Sequence, residues 1–147
     1  MLGNSFNLVD MIRAHLTGEV VGRMSSFLGE DSDRTRLGML AAVPALLGGL
    51  DRVASTSDGA ARIHSAIDNA DTNITDNVIG LFGRTTTVDT GGGILRSILG
   101  AGNLSDVNNV VSRTSGLSGR STTSMLSLLA PIVLAVLARL KRSSRSV

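Results

Sequence analysis

Cysteine, tryptophan and tyrosine are absent from the 147 residues, and lysine occurs once, as Lys141. Without cysteine the chain can form neither disulfides nor thiolate metal sites. Without tryptophan and tyrosine it lacks the side chains that most often anchor interfaces and stack on single-stranded nucleic acid. Only three aromatics are present, Phe6, Phe27 and Phe82. The core must therefore be aliphatic, which favours helices packed closely on helices through small residues. Proline is also scarce, at Pro44 and Pro131 alone. Because so few groups titrate between histidine and arginine, the high isoelectric point reflects arithmetic and not a nucleic-acid signature.

What is present is aliphatic and helical in period. Leu8, Val9, Ile12 and Leu16 fall on one stripe, predicting a helix from about Asn7 to Thr17 that Gly18 ends. Val20, Val21, Met24, Phe27 and Leu28 form a second stripe that stops at Gly29. Ser32 is the expected cap of a third helix, starting near Asp33 and kinked or broken at Pro44, with the apolar pattern resuming over Ala45 to Val53. Ser57 is the expected cap of a short helix through Ile63 and Ile67. Thr72 or Asn73 opens another, through Ile74, Val78, Leu81 and Phe82. Arg84 to Gly93, with three consecutive glycines, suits a mobile hinge. Beyond it lie expected helices over Ile94 to Leu99, Ser105 to Thr114, and Ser121 to Lys141, the last interrupted at Pro131. No alternating strand pattern occurs, so the expected fold is all-α, a multihelical array of short helices. One domain over residues 1–147 is expected, divided into halves at 1–83 and 94–140, the Gly-rich loop 84–93, and a basic tail at 141–147.

The array reads as a pseudo-repeat. Sliding residues 20–53 onto 107–140 without a gap matches Val20, Ser25, Gly29, Thr35, Pro44, Leu47, Leu50 and Arg52 with Val107, Ser112, Gly116, Thr122, Pro131, Leu134, Leu137 and Arg139. Eight of thirty-four positions coincide, against about three from composition. Glycine and proline are among them, and each dictates backbone geometry. Charge divides the chain as well: residues 1–90 carry eleven acids and seven bases, while residues 91–147 carry one acid and seven bases. That asymmetry could steer the tail of one molecule toward the front of another, or toward an anionic surface.

The order of segments also carries a resemblance. Phe27 to Asp31 (FLGED), Ala41 to Leu50 (AAVPALLGGL), a Ser-Thr-Ser-Asp-Gly-Ala-Ala turn, a Gly-rich middle, and Ser115 to Leu137 (SGLSGRSTTSMLSLLAPIVLAVL) resemble the YidB-like bacterial family of unassigned function. The resemblance covers nearly the whole chain. It implies a small multihelical bacterial protein with no catalytic residue to carry over, and with some relatives joined to domains of the cell envelope. The basic tail from Arg139 to Arg145 and the polar loop around Asp89 depart from the family pattern.

Motifs that imitate chemistry fail on their own terms. Asp71, Asn73, Thr75 and Asp76 open like a calcium loop, but Asp76 stands where the loop needs glycine and Phe82 where it needs glutamate. Glu30, Asp31 and Asp33 form an acidic patch of the kind a helix start attracts through its dipole. Asp89, Thr90 and Gly91 spell the tripeptide of aspartic proteases without the paired carboxylates that chemistry needs, and read as a turn. The only histidines, His15 and His64, lack a neighbouring nucleophile. A helix ending at Gly29 or Gly116 before another helix has helix-turn-helix spacing, but Arg34, Arg36 and Arg120 are too few to dominate phosphate contacts. Met125 to Ala138 is the most apolar stretch, and its fourteen residues rise about 21 Å, short of a bilayer.

No enzyme, cofactor or metal site is expected, and nucleic acid is not the favoured partner. The expectation is a self-associating helical scaffold, a homo-oligomer forming rings or filaments head to tail. Its expected contacts are Pro44, Leu46, Leu47 and Leu50 in one unit and Pro131, Val133, Leu134 and Leu137 in the other. The alternative is an adaptor that meets nucleic acid or a membrane surface through Arg139, Lys141, Arg142 and Arg145. The segment before Asp10 shows no secretory signal, so the cytoplasm is the default location, with envelope association the second reading.

Overall fold

The computed structural model describes residues 10, 12, 14–70, 80 and 87–146, without the side chains of 87–89, 101 and 141–146. All regular structure among these residues is helical. Asp10, Ile12 and Ala14 belong to a helical segment that turns at His15, and Ile12 is fully buried. Five longer helices follow: α1 (Gly18–Leu28), α2 (Ser32–Ala54), α3 (Ser57–Asp68), α4 (Thr87–Ser115) and α5 (Gly119–Ser146).

Hydroxyl and carboxylate caps set the helix starts. Thr17, Asp31 and Thr56 adopt extended backbone, and their side chains accept from Val20, Asp33 and Gly59. The expected caps Ser32 and Ser57 lie one residue inside. Gly18 opens α1 where it was expected to close the preceding helix.

The two prolines break nothing. Both α2 and α5 run through them. Pro131 has no N–H to offer the Ser127 carbonyl, and α4 approaches that carbonyl instead. Gly91 is buried, and a Cβ there would overlap the Ser127 oxygen. The Gly91 backbone thus covers the acceptor that proline frees, in the manner of close Cα–H···O contacts between helices. The expected hinge is corrected accordingly: residues 87–93 are helical, and Asp89, Thr90 and Gly91 sit in a helix and not in a turn. Residues 84–86, the expected helix from Thr72 or Asn73 to Gly83, and the calcium-like stretch lie outside the described residues, save Gly80. The backbone of α4 leaves helical geometry once, at Gly100 (φ 79°, ψ 162°), so α4 is two segments meeting at a kink. That kink replaces the gap expected between Leu99 and Ser105.

α5 is the centre of the molecule. Residues 125–136 are buried except for Pro131, so the helix is apolar on every side and enclosed on every side. α4 packs on it with Leu95, Ile98, Leu99, Val107 and Val111, and α2 joins the same core through Met39, Ala42, Val43, Leu46 and Val53, lying mainly against α4. α2 and α5 meet near Gly38, where a Cβ would come within 2.7 Å of Leu117 and 3.0 Å of Met125. By length and apolarity both α2 and α5 could cross a bilayer, with mean hydropathies of 1.4 and 1.9. Burial separates them, since 67% of the apolar window of α5 is enclosed by protein against 39% for α2.

Candidate functional site

Two helix-to-helix turns carry the same local chemistry. At the first, Gly29 has φ 67° and its N–H bonds to the Ser25 carbonyl; at the second, Gly116 has φ 79° and bonds to the Ser112 carbonyl at 2.9 Å. Only glycine enters this region without strain. The Ser25 hydroxyl donates to the Glu30 carbonyl at 2.5 Å, and the Ser112 hydroxyl to the Leu117 carbonyl at 2.7 Å. The hydroxyl of Thr35, fully buried, donates to the Asp31 carbonyl at 2.8 Å. That of Thr122, also fully buried, donates to the Ser118 carbonyl at 2.9 Å.

The two turns also touch. The Ser118 hydroxyl lies 3.5 Å from Glu30 Oε2, and the Arg34 side chain passes 3.9 Å from the point where a Gly116 Cβ would stand. The Ser121 hydroxyl, aided by the backbone and hydroxyl of Ser118 and by the Arg34 charge, holds the Glu30 carboxyl below the usual glutamate range against a smaller opposing effect of burial. The junction is an electrostatic clip between the halves of the molecule.

Most residues expected to mediate self-association are core residues. Leu46, Val133 and Leu134 are buried, and Leu47, Leu50, Pro131 and Leu137 are half-buried, with the leucines packed against the core. Pro44 alone of the expected set is exposed. The outward face of α2 is nonetheless apolar. Leu37 is 50% exposed and Leu40 37% exposed, and together with Pro44 and Gly48 they line one side of the helix at spacings of three and four. Residues 37–50 contain no charged side chain, an uncharged stretch of about 21 Å at helical rise. Arg36 bounds it at one end and Asp51 at the other, both exposed. Leu37 and Leu40 escaped the sequence reading because α2 is apolar nearly all round, so its period does not say which side faces inward.

An open cleft of about 450 Å³ lies between α3 and α4, with Ala66, Ile94 and Ile98 below and Arg62, Ser65 and Ser97 at its rim. It pairs no nucleophile with a base. His64 is exposed on α3 and His15 half-buried near the first helical segment. No three metal-ligating side chains converge among the described residues. Arg139 is exposed on α5, whose backbone continues as helix to Ser146. The side chains of Lys141, Arg142 and Arg145 lie outside the described residues.

Over residues 10–140 the sequence matches the family described as bacterial protein of unknown function (DUF937). No curated protein and no solved structure matches the chain.

Proposed function

The chain belongs to this bacterial family of unknown function, and we propose that it works by association, as a non-enzymatic, self-associating helical scaffold. The observation that supports this most is the outward face of α2: an uncharged stretch with Leu37, Leu40 and Pro44 at the surface, on a helix that encloses only 39% of its apolar window. Water contact with such a stripe is costly at about 25 cal/mol per Å² of apolar surface, and a partner removes that cost. Light scattering on a size-exclusion column, run over a wide range of loading concentrations, tests the reading. A mass that rises with concentration is expected; a monomer throughout would refute it.

The same proposal holds that the scaffold is a duplicated unit, residues 20–53 and 107–140. Its support is the matched set of hydroxyl bonds and left-handed glycines at the two turns. The units have diverged in their surroundings. α4 covers Ser127 through Gly91 and reaches Ala130, Val133 and Leu134 through Ile94, Leu95 and Ile98.

A second reading rests on the helical continuation of α5 past the core, which carries Arg139, Lys141, Arg142 and Arg145. In it the tail meets an anionic membrane surface or nucleic acid. Truncation after Leu140 separates the readings: loss of vesicle or DNA binding with unchanged self-association assigns the tail to this second role.

A further inference from the structure

The uncharged stretch of α2 ends in charges whose order matters. Asp33, Arg34 and Arg36 precede it, Asp51 and Arg52 follow it, and all five are exposed, with Arg34 reaching toward Glu30 and Gly116. Reversing the helix brings base opposite acid. If two copies of α2 lie antiparallel with a two-fold axis between Val43 and Pro44, Arg36 of each faces Asp51 of the other, and Asp33 comes within reach of Arg52. A parallel pair would instead set Arg36 beside Arg36 and Asp51 beside Asp51, which is repulsive at both ends. The apolar centre is also suited to close approach, because Pro44 and Gly48 are the exposed residues between Leu40 and Asp51, and Gly48 has open space around it.

We propose that a second copy of this chain covers the outer face of α2, as an antiparallel, isologous pair centred on Val43 and Pro44, with Arg36 and Asp51 exchanged at its ends. This rests on the self-association reading and specifies its partner surface and symmetry. It also replaces head-to-tail growth at this face, because an isologous contact closes on two copies. One helix pair of this length covers much less than the roughly 800 Å² per partner of a standard interface. The dimer is therefore weak and depends on concentration. The apolar stripe supplies its affinity and the end charges its direction.

The absence of native cysteine makes disulfide trapping clean. Pro44→Cys should oxidise to a covalent dimer with itself. Leu37→Cys should not, because its two copies stand about 20 Å apart along the antiparallel pair, beyond the roughly 7 Å limit for a bridge. Leu37→Cys mixed with Gly48→Cys should crosslink. Arg36→Asp should weaken the dimer about fivefold, and adding Asp51→Arg should restore it. Self-linking of Leu37→Cys overturns the antiparallel arrangement. A chain that light scattering shows to be oligomeric, yet that yields none of these crosslinks, places self-association on another face and leaves the broader reading intact. A monomer at all concentrations removes both; slow thiol labelling of its Leu37→Cys variant would then assign the stripe to cover by the chain's own residues. Crosslinks abolished by phosphatidylglycerol vesicles that co-sediment with the protein would assign the face to lipid and overturn the pairing.

Discussion

Glycines in this chain divide by what their missing Cβ would meet. Gly91 sits where any side chain would overlap the Ser127 carbonyl, so Gly91→Ala should force α4 away from α5 and destabilise the fold by about 1–3 kcal/mol. Gly22, exposed within α1 with open space around it, has no such role. Gly22→Ala should stabilise by about 0.5–1 kcal/mol through helix propensity alone. Urea denaturation of the two variants gives opposite signs if the close approach is real. Glu30 makes a prediction in pH. Its carboxyl is held low in the folded state, chiefly by the Ser121 hydroxyl, so its contribution is complete above the ordinary carboxylate value and is lost as pH falls through the lowered one. Glu30→Gln should therefore be less stable near neutrality, and its melting temperature should decline less on acidification than that of the unmodified chain. The Gly-rich segment was misread in the sequence because composition reports glycine's freedom and is silent about proximity. The carbonyl that needs Gly91 is thirty-six residues away in the chain, at Ser127.

Helices end and restart here by a rule that two turns obey alike. The buried hydroxyls of Thr35 and Thr122 each close the first turn of a helix onto the carbonyls of Asp31 and Ser118. Thr35→Val and Thr122→Val keep the volume and remove the bond, and each should cost about 1 kcal/mol in a thermal or chemical melt. Near-equal losses support equivalent units; a loss at one turn only contradicts that part of the proposal. These turns were legible beforehand, since Gly29, Gly116, Thr35 and Thr122 are coincidences in the sequence whose geometry is local. The prolines were legible only in position. A proline inside an apolar run predicts a kink or a break, and α2 and α5 continue through Pro44 and Pro131 because tertiary packing outweighs one lost bond, and at Ser127 supplies a substitute neighbour. The inward direction of α2 was not legible at all: Leu46 and Leu37 look alike in the sequence, and only the positions of α4 and α5 make the first core and the second surface.

At the scale of the molecule, an enclosed apolar helix, α5, is surrounded by helices that expose single large apolar side chains at Phe27 on α1 and Val110 on α4, and a stripe of them, Leu37 and Leu40 beside Pro44, on α2. The scarcity of aromatics shapes any interface this chain can make. An α2 contact built from leucine, proline and glycine has no large anchor, so it depends on area and on the direction set by charge. Such an interface suits reversible assembly more than permanent assembly. The most direct measurement is sedimentation equilibrium of the unmodified chain beside Leu37→Glu, which places a charge on the exposed stripe at a residue that is 50% exposed. The account predicts a monomer–dimer equilibrium for the first and a monomer for the second at the same concentrations, with equal thermal stability when both are dilute. Identical association by the two proteins would contradict it.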